Sequence, residues 1–104
     1  MSGARLERWH PADGPVSEKR MMGVLEAEGF EVAVYAYRAG TTFPAHEHPN
    51  EKCDGVLEGV LRITVGDAVY DLGTGDRLYL PAHTRHSAEV VGGKTVVSLD
   101  GTRW

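Results

Sequence analysis

Four of the five histidines in this 104-residue chain fall in two short clusters, His46 with His48 and His83 with His86. Imidazole is a common ligand of transition metals in its neutral form. Residues two apart on a strand project from the same face. His46 and His48 therefore read as half of a metal site, with Glu47 turned away. A third ligand has to come from elsewhere, and the second cluster is the place to find it. The stretch HEHPN is not the H-E-x-x-H of helical zinc proteases, since Pro49 and Asn50 break the pattern. There is no glycine-rich phosphate loop, and neither Ser87 nor Cys53 has the flanking context of a catalytic nucleophile.

The elements that must position these residues read as strands. Residues 30–37 are rich in β-branched and aromatic side chains. A second strand runs into His46 and His48 and stops at Pro49-Asn50. Further short strands are expected at 56–57, 60–65, 68–72, 77–80, 88–91 and 95–99, with a bulge or bend at Gly59. Met21 to Leu25 could begin a helix, but Gly23 within it and Gly29 after it argue against one. The pattern predicts an all-β sandwich or barrel in one domain, with residues 1–19 as an N-terminal arm and 20–104 as the barrel.

Composition narrows the function classes. Apolar residues make up 41% and charged residues 25%, with thirteen glycines and five prolines, a turn-rich globular balance. The net charge of −4 and the lack of a basic block speak against a nucleic-acid partner. No run approaches the ~18 apolar residues of a membrane helix. A single cysteine, Cys53, and a charged N-terminus without a signal-peptide core make the cytoplasm the expected compartment.

Two stretches resemble the paired motifs of the cupin superfamily. Gly40 through His46, His48 and Pro49 to Gly59 is similar to the first motif. Gly75 through Pro81 and His83 to His86 is similar to the second. The resemblance implies a single cupin-type β-barrel, the double-stranded β-helix or jelly roll. It also implies a divalent metal held by His46, His48 and His86 in the barrel mouth. It names no substrate, because the superfamily hosts many chemistries.

The chain departs from the motifs in places. The family's acidic ligand falls on Lys52, or on Cys53 with the spacing one longer; the second motif's inner glycine is His83 and its final asparagine is Val90. An ammonium cannot ligate a cation and is repelled by one at short range. Three readings follow. Glu51 replaces the lost ligand; or the metal has three histidines and open positions; or no metal binds and Lys52 anchors a pocket for an acidic ligand. Strand alternation lets Lys52 and Asp54 face the same way and pair. His83, three positions before His86, is read as lining the pocket entrance or capping the turn.

Two functions stay open at this point. One is a metal-dependent oxygenase- or isomerase-type enzyme acting on a small molecule, with iron, manganese, nickel, copper or zinc. The other is a non-catalytic small-ligand or metal-binding module. Open sheet edges, and the family's habit, point to a homodimer.

Overall fold

The computed structural model describes residues 3–104. Nine strands form two antiparallel sheets: β1 (Arg5–Glu7), β2 (Glu31–Tyr37), β3 (Thr42–His46), β4 (Glu51–Glu58), β5 (Val60–Val65), β6 (Ala68–Leu72), β7 (Arg77–Leu80), β8 (His86–Val91) and β9 (Val96–Arg103). The larger sheet has the order β1-β7-β4-β9-β2 and the smaller β3-β8-β5-β6. This is the expected all-β jelly-roll architecture, with one correction. Neither sheet closes into a barrel, because β1 and β2 on one sheet, and β3 and β6 on the other, each have a single hydrogen-bonded neighbour.

A second correction concerns a helix. Residues Glu18–Ala27 form α1, where Gly23 had argued against one. Ser17 caps it, its hydroxyl accepting from the Arg20 amide at 3.1 Å. Met21 and Leu25, one turn apart, are fully buried against Phe30, Cys53, Tyr79 and Leu99 on the outer face of the larger sheet. Tertiary packing of that stripe outweighs the cost of roughly 1 kcal/mol for a helical glycine. Gly23 itself has nothing within 4 Å of where a Cβ would stand. Gly55 is what lets the helix dock, since a Cβ there would lie 2.6 Å from Met21 Sδ. Among the described residues no helix is long and apolar enough to cross a membrane.

Ahead of α1, β1 pairs with β7 as an edge strand, and a single 3-10 turn follows at Pro11–Asp13. Between the sheets, Val56, Leu61, Ile63, Val65, Leu72, Leu78, Leu80, Val90 and Val96 form one apolar core. The chain leaves β4 through Gly59, at φ +78°, where a Cβ would sit 2.5 Å from the Thr95 carbonyl. Only glycine fits there. Along β4 and β9 the inward residues change character. Val56 and Val96 belong to the apolar core, whereas Lys52, Asp54, Ser98 and Asp100 line an open cavity.

Candidate metal centre

His46 and His86 are direct cross-strand partners at the end of the β3–β8 pair, just past an irregularity in the register between Phe43 and His46. Their ring centroids are 4.4 Å apart. His48 does not share the strand, as the sequence suggested; β3 ends at His46, and His48 stands in the following loop. It still converges, with its ring 4.8 Å from His46 and 5.5 Å from His86. One ring nitrogen from each of the three lies within 4.8 Å of the others.

The loop that carries His48 is fixed from across the site. The His83 amide donates to the His48 carbonyl at 2.7 Å. His83 pays for that turn with φ +62°, at the position where the resembled motif has glycine. Its side chain points elsewhere: Nδ1 lies 3.3 Å from the Glu47 carboxylate, and His83 is not among the cavity-lining residues.

Two of the imidazoles have their tautomer set by the backbone. His46 Nδ1 lies 2.7 Å from the Pro44 carbonyl, and His86 Nδ1 lies 2.8 Å from the Thr84 carbonyl. A carbonyl only accepts, so each Nδ1 carries the hydrogen and each Nε2 keeps its lone pair. This is the outer-sphere arrangement that orients metal-binding histidines. Burial holds the pKa of His48 below the usual histidine value, helped by the Lys52 ammonium and the two neighbouring imidazoles. Burial also lowers that of His86, against the raising effect of its Thr84 hydrogen bond. Neutral imidazoles are what a cation needs. A metal sits ~2.0–2.1 Å from each nitrogen, so the rings must draw together on binding. The donor set therefore fits a divalent transition metal.

Lys52 reaches the cavity with its ammonium tied down. Nζ donates to Thr102 Oγ1 at 2.6 Å and lies 2.7 Å from Asp100 Oδ1. The second contact is an ion pair to a buried carboxylate oxygen. Asp54 lies directly opposite Asp100 across the β4–β9 ladder. Burial pushes the Asp54 carboxyl up to about 7, Asp100 adds to the rise, and Lys52 opposes it. What surface Asp54 retains opens on the cavity.

The cavity has a volume of about 200 Å³. Tyr37, Phe43, Leu61 and Ala88 form an apolar wall, and Lys52, Asp54, Ser98 and Asp100 a polar floor below the histidines. Glu51 is not part of it. Alternation along β4 turns Glu51 outward, where its carboxylate pairs with Arg103. Cys53 also faces out, fully buried under α1, and burial pushes its thiol well above the usual range. Asp100, Ser98 and Thr102 escaped the sequence reading, although the polar residues two apart in Ser98, Asp100 and Thr102 mirror Lys52 and Asp54.

The cupin domain matches residues 33–101, most of the chain and all three histidines. The chain belongs to the cupin family. No curated protein matches it in sequence. Among solved structures, this cupin superposes on a Streptococcus pyogenes protein of unknown function with a TM-score of 0.64 at 20% identity, covering 72% of this chain and 64% of that one. It superposes on the DMSP lyase DddQ of Ruegeria pomeroyi with a TM-score of 0.66 at 25% identity, covering 73% and 39% of the two chains. With the Bacillus subtilis oxalate decarboxylase, which has Mn(II) centres, the TM-score is 0.64 at 23% identity over 72% and 22%. The chain thus spans less than two thirds of each of these proteins.

Proposed function

We propose that this cupin binds a divalent transition metal through His46, His48 and His86 and presents it to a small molecule in the adjoining cavity. The observation that carries the reading is the pair of Nδ1–carbonyl hydrogen bonds, which leave two facing imidazoles with free Nε2 lone pairs. A bound metal would supply Lewis-acid or redox chemistry, in the manner of oxygenase- or isomerase-type cupins. The protein's own part is to exclude water with Tyr37, Phe43 and Leu61. Lys52 and Asp54 then hold or move protons at ligand oxygens in the same cavity. The DMSP lyase and the oxalate decarboxylase, named for DMSP and for oxalate, support a small-molecule substrate.

A second reading is favoured by one observation. Lys52 stands where the family's acidic ligand would be, and it is bonded into the floor rather than turned away. On that reading the cavity is a metal-free, non-catalytic pocket centred on Lys52. Elemental analysis of the untagged protein separates the two. About one metal per chain, lost in His86→Ala, is the expected result. A value near zero that stays there after incubation with iron, manganese, nickel, copper or zinc overturns it in favour of the metal-free pocket.

We also infer that β2 joins a second copy of the chain. It is an edge strand of seven residues with Val34 and Tyr35 exposed, and Glu31 is its only charge. Such an edge lacks the lysines or prolines that block pairing, and an antiparallel copy would bring no like charge opposite its apolar stretch. Sedimentation should show a dimer that Val34→Lys dissociates; a monomeric native protein would refute the inference.

A further inference from the structure

Three neutral imidazoles leave the charge of a divalent cation uncompensated, and Lys52 adds to it. Cupins of the resembled motif solve this with an acidic residue on the strand that here is β4. In this chain the carboxylates that line the cavity beside that position are Asp54 and Asp100, one on each of two adjacent strands. We infer that Asp100 is the carboxylate of the metal centre, joining the three histidines when a cation binds, while Lys52 holds it in the cavity until then. The inference rests on the metal-binding reading above.

Three observations carry it. Asp100 lines the same cavity as the histidines. Oδ1 is buried against the Lys52 ammonium, a partner that a divalent cation can displace. Register explains the substitution: Lys52 pairs with Thr102 and Asp54 with Asp100. The negative charge has moved one strand sideways and Lys52 lies diagonal to it, within reach of both Thr102 Oγ1 and Asp100 Oδ1. Asp54 is the weaker candidate, since Lys52 makes its ion pair with Asp100 and the Asp54 carboxyl is pushed up to about 7. Lys52 then acts as a competitor for the ligand rather than as a vestige of a lost site.

A double-mutant cycle on the metal-free protein tests this, with Co(II) titrated by calorimetry and followed by visible absorption. Lys52→Met should bind Co(II) about tenfold more tightly than the native chain, because the competitor is gone. Asp100→Asn should bind it some 10–100-fold more weakly, as loss of a metal-site partner does. The deciding variant is Lys52→Met with Asp100→Asn. It should be weaker than Lys52→Met alone by a larger factor than Asp100→Asn costs the native chain, about tenfold larger, with an altered Co(II) spectrum. Equal affinity and spectrum for those two would make Asp100 a mere counterion of Lys52 and overturn the inference. Asp100→Glu guards against a folding artefact, since it should keep most of the affinity that Asp100→Asn loses. If neither the native chain nor Lys52→Met takes up Co(II), the metal-binding reading falls and this inference with it. Uptake by Lys52→Met alone would sustain the role of Lys52 while refuting a resident metal in the native protein.

Discussion

The two ends of the β4–β9 ladder are built on the same backbone and do opposite work. At the Gly59 end, inward positions carry Val56 and Val96, both inaccessible, packed on Leu61, Leu72 and Leu78. At the other end, inward positions carry Lys52, Asp54, Asp100 and Thr102, and the apolar residues of the same strands, Cys53 and Leu99, face out beneath α1. The sheet thus has two hydrophobic faces, each over part of its length. The helix is what permits this inversion. Without α1 the outward Cys53, Leu99 and Tyr79 would be wet, and the polar floor of the cavity would have no compensating core behind it.

The division predicts that damage at one end should leave the other end's property intact. The largest effect is expected from Leu78→Ala, at a position with no exposure in the sandwich core. It should cost about 2–5 kcal/mol in urea unfolding, while the fraction that stays folded binds metal with native affinity. His86→Ala is the mirror case. Stoichiometric Co(II) binding should vanish, with a stability change of at most about 1–2 kcal/mol. If His86→Ala unfolds the chain, the histidines are structural and the contrast between the ends is lost.

Much of this was legible in the sequence, for reasons that are local. The strands announce themselves by alternation and by glycine turns, and the histidine trio by its spacing within two motifs. Parity along β4 correctly put Lys52 and Asp54 on one face, and the same parity turns Glu51 outward to Arg103. What could not be read was long-range. The helix is stabilised by packing Met21 and Leu25 on Cys53, Tyr79 and Leu99, far away in sequence, with Gly55 leaving room for Met21, so its internal glycine misled a reading based on propensity. Asp100 is part of the site only because β9 pairs with β4 in a register that brings it opposite Asp54, and no spacing rule reveals that register.

A smaller effect sharpens the contrast through pH. The Asp54 carboxyl is raised in the folded protein to about 7 from its ordinary 3.8. The folded chain therefore holds a proton that the unfolded chain has released across that interval. The stability of the metal-free protein should fall as pH rises from about 4 to about 7 and level off above it. Asp54→Asn should flatten that slope and be more stable than the native chain at pH 8, by something on the order of 1 kcal/mol. Leu78→Ala should shift the whole curve down without changing its shape. Identical pH slopes in Asp54→Asn and the native chain would show that the cavity floor is solvated like open surface.

The smallest effect belongs to His83, which positions the site without entering it. Its φ of +62° costs an ordinary side chain roughly 1–2 kcal/mol, and glycine avoids that cost but loses more freedom on folding. His83→Gly should therefore gain no more than about 1 kcal/mol. Its amide still donates to the His48 carbonyl, so Co(II) affinity should stay within a few-fold of native. His83→Pro removes that donor and cannot adopt a positive φ. It should loosen the His48 loop and weaken metal binding far more than His83→Gly does. Equal affinity in the two variants would mean that the backbone bond between the loops does not hold His48 in place, and that His46 and His86 organise the centre alone.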